Sequence, residues 1–289
     1  MRVTIIGTSG QLASELRRRR CAPGLTLLDV EKVDVTDVGA LRALLERHRP
    51  ELILNASAYT AVDRAESEPE RAFAVNESGP RHLADWCAQH GAALIHVSTD
   101  YVFDGSKPSS YVEQDQPAPL SVYGASKLAG EDAIRRALPR HVILRTSWVF
   151  SAHGQNFVKT MLRLARERDE LRVIADQHGR PTAAADLADA MLRVAERVQT
   201  GSARFGTFHF AGTGSTSWHG FAEAIVAEQA AFTERRPRVT AIGTTDYPLP
   251  AKRPANSVLD TAEFARAFAH NPRSWREGLR EVVQELLAT

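Results

Sequence analysis

Along the first half of the chain, short unbroken runs of apolar and β-branched residues alternate with longer stretches in which apolar positions recur every three or four residues. The runs at 3–6, 25–29, 52–55, 94–98 and 142–146 are too short for stable helices and lack polar alternation, which predicts strands buried on both faces. The stretches 12–20, 38–48, 69–90 and 123–138 follow the helical period and predict helices between those strands. Thr36 or Asp37 can cap the second helix, and Pro69 stands where a first-turn proline is tolerated. Strand and helix in strict succession imply right-handed crossovers. The expected fold class is therefore α/β, a Rossmann-type doubly wound parallel sheet.

Beyond Trp148 the pattern loosens. Helical periodicity covers 156–168, 183–199, 221–231 and 274–287, 171–175 and 207–210 look extended, and 240–254 reads as a long surface loop. This predicts a Rossmann domain over 1–147, to which the chain returns around 183–210. Residues 148–289 mainly form a second, smaller α/β unit suited to binding substrate.

Composition changes this picture little. Apolar content of 43% and charged content of 25% are ordinary globular values, and a net charge of +1 gives no field to draw the chain onto nucleic acid or a membrane. Cys21 and Cys87 stand far apart with no ligand spacing around them, so neither a disulfide framework nor a metal site is expected. No run reaches the ~18 apolar residues of a membrane span, and the first strand begins too early to leave room for a cleavable leader. A reducing cytoplasm is the expected compartment.

Candidate chemistry begins directly after the first strand. Gly7, Ser9, Gly10, Gln11, Leu12 and Ala13 form a GxxGxxA turn, whose small residues and helix amino end suit a pyrophosphate. Asp29, at the end of the second strand, is placed to meet ribose hydroxyls and favours NADH on charge grounds. Lys32 and the Arg17–Arg20 run could instead receive a 2′-phosphate, so NADPH and NADH both stay open. Ala56, Ser57, Ala58 and Thr60 follow the third strand and suit a backbone lying against a cofactor.

Tyr123 and Lys127, four residues apart, share one helix face behind Ser98-Thr99-Asp100. Two unit charges ~5 Å apart at an effective dielectric near 20 interact by roughly 3 kcal/mol, enough to depress a phenol by about two pKa units. The pair is thus expected to make Tyr123 a useful acid near neutrality, with Thr99 donating to a substrate oxygen.

The segments 98–105, 123–131, 145–150, 156–162, 176–182 and 253–257 are similar, in order and over nearly the whole chain, to signatures of the extended, sugar-nucleotide short-chain dehydrogenases/reductases. Within that branch the chain most resembles the dTDP-4-dehydrorhamnose reductase family. The resemblance implies NAD(P)H-dependent reduction of the C4 keto group of a dTDP-6-deoxy-4-ketohexose by Thr99, Tyr123 and Lys127. It also implies an adenine-flanking role for Asp34 and Val35, and a substrate side built from Asp100, Tyr101, Val102 and Trp148. Asn156, Lys159, Arg253 and Asn256 would reach the dTDP moiety.

Some relatives dimerise around a metal held by an acidic residue just after the Pro-Thr pair. Here Pro181-Thr182 is followed by Ala183-Ala184-Ala185, with Asp186 displaced by about 100° of helical turn. A monomer or weak homodimer is expected, without a bridging or catalytic metal. Two other readings share the same motifs: reduction of a different dTDP-4-ketosugar, such as a dihydrostreptose-type precursor, and a non-catalytic regulatory subunit of methionine adenosyltransferase.

Overall fold

A computed structural model of the chain describes residues 1–7, 10–19, 24–28 and 33–288. Among them the strands are β1 (Arg2–Ile6), β2 (Thr26–Leu28), β3 (Leu52–Asn55), β4 (Ala93–Thr99), β5 (His141–Thr146), β6 (Val149–Phe150), β7 (Glu170–Ile174), β8 (His178–Gly179), β9 (Thr182–Ala183), β10 (Gly206–His209), β11 (Thr216–Ser217) and β12 (Arg238–Ile242). The α-helices are α1 (Gln11–Arg18), α2 (Val38–His48), α3 (Val62–Ala65), α4 (Pro69–Phe73), α5 (Gly79–His90), α6 (Val122–Ala137), α7 (Phe157–Glu167), α8 (Ala184–Gln199), α9 (Trp218–Gln229), α10 (Ala262–Phe268) and α11 (Trp275–Leu287).

Six strands form one parallel sheet in the order β10-β5-β4-β3-β1-β2. The order reverses between β1 and β3, the switch point outside which such sheets open a crevice. Successive residues of each strand face opposite layers. Val3, Ile5, Leu52, Leu54, Ile95 and Val142 pack under α1 and α8. Ile6, Ile53, Leu94 and Ile143 pack under α2 and α5 on the other side. A separate apolar cluster joins α7, α9 and α11 to β7.

Several helices, among them α2 and α6, begin where a side chain takes up a free N–H. Asp37, rather than Thr36, caps α2 by accepting from Ala40 N at 2.9 Å, and Ser121 caps α6 by accepting from Gly124 N at 3.2 Å. The helix expected over 69–90 is broken by a π-turn, Ala74–Ser78, between α4 and α5. That turn lies against α6 so closely that a Cβ on Gly130 would overlap the Asn76 carbonyl oxygen.

The expected surface loop over 240–254 is corrected at its start. Residues 240–242 complete β12, which pairs in parallel with β7. An exposed strand pattern with few large apolar residues hid it. Helix α10, seven residues without a side-chain cap, also escaped the sequence reading.

Gly130→Ala sets a methyl group against backbone that cannot retreat. It should destabilise the fold by about 1–3 kcal/mol, read as a lower urea midpoint at unchanged slope.

Candidate active site

Three segments meet at the carboxyl edge of the sheet: the β1–α1 turn, the end of β4 and the start of α6. They enclose a cavity of about 500 Å³. Of the residues expected at a site, Gly10, Gln11, Leu12, Ala56, Ser57, Ala58, Thr60, Thr99, Asp100, Tyr123, Lys127 and Trp148 line it. Ser9 and Asp29, like Lys32, Arg20 and Cys21, lie outside the described residues. Gly7 has φ +105°, and a Cβ there would stand 2.9 Å from Ala56 C and Ser57 N. It therefore brings the turn against the β3 loop, where any larger residue would collide. Gly10 has open space in the Cβ direction.

Helix α6 is fixed by close backbone approach. A Cβ on Gly124 would overlap the Tyr101 carbonyl oxygen, so the first turn sits directly on the 3₁₀ turn Asp100–Val102. Buried Asn76 in the π-turn donates to Ser126 Oγ (3.0 Å) and Tyr59 O (3.1 Å) and accepts from Tyr59 N (2.9 Å). It thereby ties the loop before α3 to α6. π-turns often stand at such functional positions.

The electrostatics correct one expectation. Burial pushes the Tyr123 phenol up to about 12, against the lowering effect of its hydrogen bond with Thr99. Burial also brings Lys127 down to about 8, while Glu131 acts to raise it. The Lys127 amino group does not acidify Tyr123 here. Its Nζ donates to Val97 O at 2.6 Å and lies 3.3 Å from His96 Nε2. Loss of hydration outweighs the Coulombic attraction assumed from the i, i+4 spacing. Asp100, almost fully buried, rises to about 7 through burial, and its Oδ2 has no partner.

Glu131, one turn beyond Lys127, is wholly buried. Its carboxylate takes a two-pronged contact from Arg145 (2.9 and 2.7 Å) and a second guanidinium from Arg135. Burial would raise this carboxyl, but the Arg145 charge and hydrogen bonds hold it below the usual range.

Trp148 carries φ +47°, uncommon for a bulky residue and a sign of local strain. Its indole stacks on Trp218 with centroids 3.6 Å apart, and a Cβ on Gly179 would meet it at 2.5 Å. Trp218 borders a second cavity of about 410 Å³, lined also by Phe157, Arg168, Arg172, Tyr247 and Arg253. The stacked indoles thus separate the two spaces. Arg253 is bound by Asp63 of α3 at 2.7 and 3.0 Å and hydrogen-bonds Tyr101, whose ring meets Tyr123 edge-on.

Several expected residues stand elsewhere. Asp34 is exposed and closes on Thr36 N and Oγ1 (2.9 and 2.8 Å), while Val35 is core beneath Gly79. Val102 packs with Phe103, Tyr111 and Leu259. The donors of Asn156 are occupied, by Gln11 Oε1, Ser151 O and His153 O, as it caps α7. Lys159 Nζ donates to Ala152 O, and the Asn256 amide to Lys107 O and Ser109 O. Arg18 and Arg19, which could have received a 2′-phosphate in the alternative reading, pair with Glu285, Asp189 and Glu15.

The sequence reading quoted Ser98, Thr146, Ser147 and Val149 within its signature segments without giving them a place at the site, and it missed Val97, Gly154, Gln155 and Leu187 on the cavity wall. Thr146 and Ser147 end β5, and the rule that ligands gather at carboxyl strand ends could have found them.

The family model for the RmlD substrate binding domain matches residues 1–288. A dTDP-4-dehydrorhamnose reductase of Sinorhizobium fredii is 44% identical over 99% of this chain and 98% of its own. A crystal structure of a dTDP-4-dehydrorhamnose reductase from Clostridium acetobutylicum superposes with a TM-score of 0.91 at 35% identity, covering 99% of both chains. The Bacillus anthracis reductase, solved in complex with NADP, gives 0.88 at 36% identity over 98% of this chain and 99% of that one.

Glu131→Ala strands the Arg145 guanidinium in the core. It should cost about 3–5 kcal/mol of stability, measured by chemical denaturation.

Proposed function

The chain belongs to the dTDP-4-dehydrorhamnose reductase family, and on that premise we propose that it reduces the C4 keto group of dTDP-4-dehydro-L-rhamnose with NADPH or NADH, giving dTDP-L-rhamnose. The observation that carries this reading is the gathering of Thr99, Tyr123 and Lys127 around one cavity that also receives the amino end of α1.

The cavity residues fit a dinucleotide. Gly10 leaves room where a side chain would obstruct, and Ser98 Oγ, Asp100 Oδ2 and Thr146 Oγ1 are buried polar atoms without partners on its wall. In this reading 1–147, with the return at 183–210, carries the cofactor, and the remainder of 148–289 carries the sugar nucleotide. The amino end of α1 and the Ala56–Ala58 backbone lie along the dinucleotide, and Lys127 donates to its ribose hydroxyls. A bound reduced nicotinamide supplies the hydride to the carbonyl carbon.

Thr99 donates its hydroxyl to the carbonyl oxygen and fixes its direction. Tyr123 then gives its phenolic proton to the oxygen as negative charge develops there. A phenol near 12 stays protonated at neutral pH, yet remains a far stronger acid than an aliphatic alcohol, whose acidity is close to that of water. Transfer is therefore downhill without an acidified tyrosine. Trp148 faces the sugar ring, and Arg253, whose fork is held by Asp63 beside Tyr101, places its positive charge toward the diphosphate.

Arg273 holds Asp186 Oδ1 at 2.6 Å, and the proposed assembly is a monomer or weak homodimer with no bridging metal. No helix among the described residues is long and apolar enough to cross a membrane.

Tyr123→Phe should lower kcat by about 10²- to 10⁴-fold while leaving NAD(P)H affinity nearly unchanged, followed by loss of reduced-nicotinamide absorbance with dTDP-4-dehydro-L-rhamnose. Turnover near that of the parent would remove the phenol from the reaction, and no turnover by folded parent protein would replace catalysis with a binding role.

A further inference from the structure

Beneath Lys127 runs a buried chain of polar groups whose donor and acceptor roles are forced from one end. Ser57 gives both its backbone N–H (3.1 Å) and its hydroxyl (2.6 Å) to Asn55 Oδ1. A backbone N–H cannot accept, so the amide oxygen faces Ser57 and the NH₂ group faces His96 Nδ1 at 2.9 Å. Nδ1 must then accept, which places the proton of a neutral imidazole on Nε2. Nε2 lies 3.3 Å from Lys127 Nζ, which already donates to Val97 O. An ammonium has no lone pair to meet that N–H, whereas an amine has one. Asn55 and His96 are wholly buried and Lys127 is 2% exposed, so water cannot relieve a donor facing a donor.

We propose that His96 is a positioning residue that disfavours the charged form of Lys127 in the cofactor-free protein, so that the amine is uncharged in mildly alkaline solution, and that Lys127 takes a proton from solvent there when cofactor hydroxyl oxygens arrive as acceptors. The second half rests on the reading of the cavity as an NAD(P)H site; the first does not. The groups around Lys127 are consistent with it. Burial opposes the charge on Lys127, and burial together with the Lys127 charge keeps the His96 ring from protonating. Glu131 on α6 favours the charge, but Arg145 of β5 and Arg135 already claim its carboxylate. Tyr123 stands one turn back on α6, and Asp100 opens the 3₁₀ turn that follows β4. The family's signatures drew attention to Tyr123 and Lys127 and left this histidine unassigned.

The chain has five lysines, so ¹³C-lysine and ¹⁵N-histidine NMR of the full-length protein, with Lys127→Met for assignment, reads the network directly. Without cofactor, His96 should show Nε2–H and a bare Nδ1 across the neutral range. Lys127 should bind its proton more than roughly 100-fold more weakly than the exposed lysines. In His96→Leu the amine loses its donor, and Lys127 proton affinity should rise about tenfold. Calorimetry of NAD(P)H binding at about pH 9, in two buffers of different ionisation enthalpy, should give uptake approaching one proton for the parent, and less for the variant.

A His96 proton on Nδ1, or a Lys127 that titrates with the exposed lysines, would overturn the proposal, and both are read in the parent even if His96→Leu does not fold. Turnover with the wrong tautomer would sink this inference and leave the reductase reading standing. The predicted tautomer without turnover would do the reverse.

Discussion

Lys127 sits 2% exposed under the cavity, and the cost of keeping an amino group from water dictates much of what surrounds it. A buried amine needs fixed partners, because a missing one forfeits the hydration it gave up. The Val97 carbonyl and the His96 ring supply them, which requires α6 to lie almost in contact with the end of β4. Two glycines make that approach possible, Gly124 against the Tyr101 carbonyl and Gly130 against the Asn76 carbonyl. The same seating carries Tyr123 to Thr99. One packing constraint thus sets both the surroundings of the Lys127 amino group and the position of the Tyr123 phenol.

The strain at Trp148 and the ion pair at Arg253 extend this order into the second half of the chain. Trp148 follows β5 by two residues, and Gly179 clears a place for its indole beside Trp218. Asp63, on α3 in the first half, holds the Arg253 guanidinium and also accepts from Ala251 N at 3.2 Å. These contacts bind the loop that bears Arg253 to α3 in the first half of the chain and fix the direction of the guanidinium.

Periodicity made the parallel sheet and its main helices legible, because buried parallel strands read as continuous apolar runs and amphipathic helices as a 3.6-residue repeat. Short paired strands such as β8 and β11 leave no such trace. At the site, Tyr123, Lys127 and Thr99 were readable because the chemistry fixes their type and spacing. Asn76, Gly130 and His96 were not, since their roles arise from contacts between segments distant in sequence. The misjudged acidity of Tyr123 has the same origin. Helical spacing reveals a neighbouring charge but not the burial that opposes it, and the residues that redirect the Lys127 amino group lie on β4.

The central claim is that this cavity delivers a hydride to the C4 carbon of a thymidine-diphosphate ketosugar. Turnover of dTDP-4-dehydro-L-rhamnose with C4-deuterated NADPH, followed by NMR of the sugar product, tests it most directly. The account predicts one deuterium, on C4 of the hexose and on a single face; product without deuterium, or with the label on another ring carbon, would contradict it.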